Sequence, residues 1–198
     1  MKKIILLIAL LCLTLSIYAQ NSVDDNKVLK ELEDKIESFC VNIEKIGTTN
    51  AIPWDEKDKL REKVIPFLFV KYPERYMRTT GKNGIAKQPK IMTSYLYNLQ
   101  QQSKKRPNTR VEYDLEFQLH GHASSFWTFY KDHGDGGKEY HSYAMIFQTY
   151  AIYTMNGVEV IRSYKEIDKK KMKIIKIVYP NGSTEVGLGD VTRVERLK

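Results

Sequence analysis

At 198 residues, with 28% charged side chains and a formal net charge of +8, the chain has the length of one domain, able to bury about 70% of its unfolded surface. So mild a basic excess argues against a nucleic-acid binder and fits a protein that tolerates anionic envelope surfaces or glycans. With only two cysteines, Cys12 and Cys40, and the first in a segment expected to be removed, a disulfide-held core is excluded.

That segment is the N-terminus. Lys2 and Lys3 precede an apolar run from Ile4 to Leu13, continued by Leu15 and Ile17 and closed by the small residue Ala19. This is the pattern of a cleaved secretory signal peptide over residues 1–19, with residues 20–198 as a single mature domain that is secreted or periplasmic. The run is short of the ~20 residues that span a bilayer. Nothing later is longer or more apolar, so the mature chain is expected to have no transmembrane segment. Acylation of Cys12 is the alternative to simple cleavage, but Ala9, Leu10 and Leu11 are not the small residues that usually precede such a cysteine. Loss of the leader leaves 179 residues, 30 of them basic and 24 acidic, with Cys40 as the single cysteine. Beside Phe39 and near Ile36 and Ile43, Cys40 reads as a buried apolar thiol rather than a nucleophile.

Val28, Leu29, Leu32, Ile36, Phe39, Cys40, Ile43 and Ile46 recur at three- and four-residue spacing. The spacing predicts an amphipathic helix of about six turns, closed by Gly47. A second helix is expected from about Trp54 to Ile65, ended or kinked by Pro66. The FLFVKY stretch beyond it suits either a further helical turn or a buried strand. Between Tyr72 and Lys90 a basic stretch punctuated by proline and glycine admits a short hairpin turning at Lys82-Asn83-Gly84. Ile91, Tyr95, Leu96 and Leu99 favour a third helix after Pro89, although alternate apolar residues keep an extended reading open.

From Arg110 onward the pattern is β. Val111, Tyr113, Leu115, Phe117 and Leu119 alternate with Glu112, Asp114, Glu116, Gln118 and His120, as in a strand with one buried face. This apolar row is expected to meet Leu32, Ile36, Phe39 and Ile43 of the first helix, since each needs cover. After a Gly-rich tip at Asp132 to Lys138, a run dense in aromatic and β-branched residues extends from Tyr140 to Tyr153. Asn156-Gly157 suits a two-residue hairpin that would set Met155 opposite Val158 and Tyr153 opposite Val160. A further turn is expected near Asp168 to Lys170, and Asn181-Gly182 should make a second hairpin.

The four histidines, His120, His122, His133 and His141, all fall between positions 120 and 141. His120 and His122 share a strand face with Glu116, a geometry metal sites use, but no third ligand has a diagnostic spacing, and no metal is expected. The loop from Asp132 to Gly137 lacks the cadence of a calcium loop and reads as a hairpin tip. Glu112, Asp114 and Glu116 form an acidic row that Lys169, Lys170, Lys171 and Lys173 could neutralise across strands. The basic residues Arg75, Arg78, Lys82, Lys87, Lys90, Lys104, Lys105, Arg106 and Arg110 read as a solvated face. No P-loop, dinucleotide, G-x-S-x-G or H-E-x-x-H fingerprint is present, and no cofactor is expected.

Helices first and a long antiparallel meander last give an α+β fold, with helices packed on one face of a curved sheet. In this order of elements, and in the strands at 111–119 and 140–164, the chain resembles the NTF2-like, or cystatin-like, superfamily. The resemblance implies helices against the concave side of the sheet. It also implies, for the superfamily's enzymes, acid-base Asp, His or Tyr residues in the cone between sheet and helices, although no motif carries those roles to numbered positions. Two functions are compatible with the residues. One is an exported, non-enzymatic binding or accessory protein of the cell envelope, with a small molecule, a glycan or an envelope protein as partner and His120, His122, His141 and Tyr143 as candidate ligand-binding residues. The alternative is a small hydrolase, isomerase or dehydratase using His141, His120 or a tyrosine in that cone.

Overall fold

The computed structural model describes residues 26–70, 76–78, 90–105, 108–120, 126–156 and 159–197. The expected leader and the alternative acylation at Cys12 lie outside them. Among the described residues no helix is long and apolar enough to cross a membrane.

The first helix, α1, covers residues 26–47. Its periodic residues Leu32, Ile36, Phe39, Cys40, Ile43 and Ile46 are all buried, as a stripe of three- and four-residue spacing requires. Its last residue, Gly47, lies against the ring of a tyrosine. A Cβ at this position would stand 2.6 Å from Cδ2 of Tyr113, closer than carbon atoms approach. The second helix, α2, is α-helical over Trp54–Lys59, widens to a π turn over Leu60–Val64 and tightens to a 3-10 turn over Ile65–Leu68. Pro66 is the reason: it has no amide to continue the helix, and its ring crowds the turn ahead of it. Lys57 of α2 is buried and donates to the carbonyls of Ile46 at 3.0 Å and Thr48 at 2.6 Å and to Ser103 Oγ at 2.7 Å. It thereby caps the carbonyls at the end of α1, and burial depresses its ammonium to about 8.

Seven strands follow among the described residues. They are β1 (Tyr76–Arg78), β2 (Lys90–Ile91), β3 (Thr109–Leu119), β4 (Thr128–Asp132), β5 (Lys138–Asn156), β6 (Glu159–Val178) and β7 (Thr184–Leu197), with helix α3 (Met92–Gln102) between β2 and β3. They make one sheet in the order β2-β1-β7-β6-β5-β3, with β4 also paired to β5. All neighbours are antiparallel except β1 and β7, which run parallel. Residues 91–100 are thus helical beyond the short strand at their start, and Met92, Leu96 and Leu99 are buried. Strands β1 and β2 pair antiparallel, but the expected turn at Lys82-Asn83-Gly84 lies outside the described residues. Of the FLFVKY stretch, Phe69 bridges to Leu188 and the Val70 amide donates to the Leu188 carbonyl at 3.1 Å.

One core joins helices and sheet. Leu32, Ile36, Phe39 and Ile43 of α1 pack with Leu115, and Tyr113, Phe117 and Leu119 lie partly buried against the same cluster. The expected meeting of these two apolar rows is therefore what the structure contains. The open edge of β3 is also covered by α1 and the turn after it. Three alternate amides, those of Val111, Tyr113 and Leu115, donate to Thr49 Oγ1 at 3.0 Å, Thr48 Oγ1 at 3.0 Å and Glu44 Oε1 at 2.6 Å. Side-chain oxygens stand where another strand would otherwise add.

Three expectations need correction. No turn occurs at Asp168 to Lys170, because β6 runs straight through from Glu159 to Val178. The charges there are accommodated on the helix-facing side, where Arg193 meets Asp168 at 2.7 Å and Lys170 donates to the Gln148 side-chain oxygen. The acidic row of β3 does not face the lysines of β6, since β5 lies between them. Glu112, Asp114 and Glu116 are opposite Ala151, Thr149 and Phe147. The first long hairpin is one residue later than the Asn-Gly pair suggests, with Asn156 opposite Glu159 and Met155 opposite Val160. A register shift between Ile152 and Tyr153 displaces the pairing further, and Ile152 lies opposite Tyr164. The second hairpin turns at Asn181-Gly182 as expected. Gly182 donates to the Tyr179 carbonyl at 2.9 Å with a φ of 82° that glycine adopts freely.

Candidate functional site

Strand β3 ends at Leu119 and β4 begins at Thr128, both along the same edge of β5. A groove of about 540 Å³ opens there and crosses the sheet face turned away from the helices, over β6 and β7. Its volume is within the ~300–1,000 Å³ of small-molecule sites.

Strand pairing assembles its walls. The His120 amide donates to the Tyr143 carbonyl at 3.2 Å, and the two rings stack 4.4 Å apart at 19°. Lys171 Nζ lies 3.9 Å from the centre of the Tyr143 ring, a cation–π contact. Lys173 is the cross-strand partner of Tyr143 and reaches Asp190 Oδ2 of β7 at 3.5 Å. Thr192 faces Lys171, and Thr128 faces His141. All of these residues line the groove, together with Ser142 and the buried Phe126.

Behind His141 is a carboxylate. Glu139, only 1% exposed, places Oε1 2.5 Å from His141 Nε2. Its Oε2 is 2.8 Å from His133 Nε2, a close contact outside hydrogen-bond geometry, and 3.7 Å from Lys131 Nζ. The other side of the His141 ring stacks on Tyr130 at 4.0 Å. Burial alone would raise the Glu139 carboxyl. The hydrogen bond and charge of His141, the charge of Lys131 and the nearness of His133 outweigh it and hold the group below its usual value. An ionised Glu139 accepts a hydrogen bond from His141 Nε2 and so orients the ring at the groove wall.

Of the four candidate residues, His120, His141 and Tyr143 come together in this groove, and His122 lies outside the described residues. The face is not the one the superfamily resemblance implies, because these side chains point away from the helices and the sheet-helix cone. Their even-numbered neighbours Ala144 and Ile146 occupy the core instead. Among the described residues no three His, Cys, Asp or Glu side chains are grouped to hold a metal ion. The Gly-rich tip is a turn whose parts are engaged with one another. The His133 amide donates to the Gly137 carbonyl at 2.7 Å, and Asp135 Oδ1 accepts from the Gly137 amide at 3.0 Å.

Sequence reasoning missed Lys171, Lys173, Asp190, Thr192, Thr128 and Glu139. A signal existed for the lysines, since alternate positions on one strand share a face, but which strand they would adjoin depended on β5 entering the sheet between β3 and β6. No protein-family model and no curated protein matches the chain. Among solved structures it is similar to ActVI-ORFA from Streptomyces coelicolor, at 10% identity over 82% of this chain and 95% of that one, with a TM-score of 0.35. At that distance the likeness carries no argument about fold family or function.

Proposed function

We propose that this chain is an exported, non-enzymatic binding or accessory protein of the cell envelope, of NTF2-like (cystatin-like) build, that holds a small molecule or glycan on its sheet. The observation that carries the reading is the groove itself: a concave site walled by His120, His141, Tyr143, Lys171 and Lys173, with polar groups converging on one space. The basic composition and the leader pattern of residues 1–19 support an anionic, extracytoplasmic setting. Two measurements test it. Mass spectrometry of the native protein should find Gln20 at the N-terminus; an intact Met1 or an acylated Cys12 would refute simple export. Amide NMR of the purified chain titrated with small molecules and glycan fragments should show shifts grouped on His120, His141, Tyr143 and Lys171. Shifts grouped on α1 and α3 would move the site to the cone.

One observation favours the second reading, a small hydrolase, isomerase or dehydratase. It is the His141–Glu139 pair, in which a buried carboxylate orients an imidazole at the groove wall, an arrangement acid-base catalysts use. His141→Asn separates the two: it should abolish any turnover while leaving most ligand affinity if His141 is an acid-base group. A binding protein has no turnover to lose.

A further inference from the structure

Resting on the reading of the groove as a ligand site, we propose that its ligand is a polyhydroxylated monocarboxylate, a sugar acid, whose carboxylate is held by Lys171. Charge comes first. Among the described residues the lining of the groove carries two ammonium groups, Lys171 and Lys173, and one carboxylate, Asp190. Asp190 lies 3.5 Å from Lys173 and offsets it. Lys171, by contrast, forms no ion pair among the described residues, and its ammonium is placed by the face of Tyr143 at 3.9 Å. A carboxylate arriving there makes a charge-assisted hydrogen bond without displacing an existing ion pair. One surplus positive charge matches one negative charge. A phosphate monoester would bring a second that nothing offsets.

The remaining walls select the body of the ligand. Both faces of the Tyr143 ring are occupied, one by His120 at 4.4 Å and the other by Lys171. Phe126 is 4% exposed. The groove thus does not offer the Tyr143 ring as a stacking face for a nucleobase. It offers instead the Lys173–Asp190 pair, a donor beside an acceptor, and the hydroxyls of Thr128 and Thr192. Vicinal hydroxyls, each both donor and acceptor, satisfy such a set.

Glucuronate, glucose and glucose 6-phosphate present the same ring with a carboxylate, a neutral hydroxymethyl and a phosphate. Amide NMR titration of the purified chain with each should show glucuronate shifting the groove resonances, with glucose weaker by about tenfold or more. Lys171→Met should lose glucuronate binding by a similar factor. Lys171→Arg should retain it, and so should Lys169→Met, which removes the next lysine along the same face. Equal or tighter groove binding of glucose or glucose 6-phosphate would overturn the sugar-acid assignment and leave the groove as the site. So would undiminished glucuronate binding by a folded Lys171→Met. Shifts from none of the three would overturn the assignment and count against the groove reading too.

Discussion

Three consecutive lysines on β6 have opposite fates. Lys169 and Lys171 lie on the groove side of the sheet, each resting on an aromatic ring, Phe147 and Tyr143. Lys170 between them is 4% exposed on the helix side, where it donates to Gln148 and, at 3.4 Å, to the Tyr95 hydroxyl. The same residue type, on the same strand, is a ligand-ready charge on one face and an internal polar brace on the other. The two faces differ in what covers them. Helices α1 and α3 close one side around Ala144, Ile146, Met172 and Ile174. The other carries, among the described residues, a smaller cluster of Val70, Ile175 and Ile177. Burial follows the pleat and the cover together, and polarity alone decides neither.

The contrast can be broken by mutation. Ile174→Ala, on the covered face, should cost ~2–5 kcal/mol in a urea titration. Lys171→Ala, three residues away on the open face, should stay within ~0.5 kcal/mol. Similar costs for the two would mean the faces are not distinct. Lys170→Met should cost ~1–3 kcal/mol, because it strands the Gln148 oxygen without its donor, whereas Lys169→Met should be close to neutral.

A smaller effect belongs to the open face and depends on pH. The folded-state value of Glu139 lies below its ordinary 4.5, so its contribution is complete above 4.5 and is lost as pH falls through the lowered value. Glu139→Gln should therefore be less stable than the parent chain near neutral pH, and the gap should close in acid. A gap that stayed constant to pH 2 would mean the carboxylate's charge is not what stabilises the β4–β5 hairpin. The smallest expected effect is zero. A chelator should leave the thermal midpoint unchanged, and stoichiometric zinc lost together with several degrees of stability would reopen the His120–His122 pair as a metal site.

Much of this fold is legible in the sequence. The three- and four-residue spacing of Leu32, Ile36, Phe39 and Ile43 and the alternation of Val111 to Leu119 are local patterns, and local patterns fix which side of an element is buried. What stayed hidden depends on neighbours distant in sequence. Asp168-Lys169-Lys170 reads as a turn because three charges in succession are costly to bury, and only Arg193 and Gln148, brought alongside by β7 and β5, make a straight strand affordable there. The site was half legible for the same reason. His120, His141 and Tyr143 stand out by composition, whereas Lys171 and Asp190 join them only through the pairing of β5 with β6 and of β6 with β7.

Cys40 has a consequence of a different kind. Its thiol is buried in the α1 stripe, and burial, with the charge of Glu44, pushes it up to about 12. In the native state it is therefore closed to alkylating reagents on two counts, access and ionisation. In a chain that begins at Gln20 it is the single cysteine, so there every labelling event must pass through an opening that lifts α1 from the sheet. Under fast reclosing, the rate of modification divided by that of a free thiol gives the equilibrium constant for that opening. The protein thus carries an intrinsic reporter of its own helix-sheet docking, readable by mass in dilute solution without denaturant or added dye.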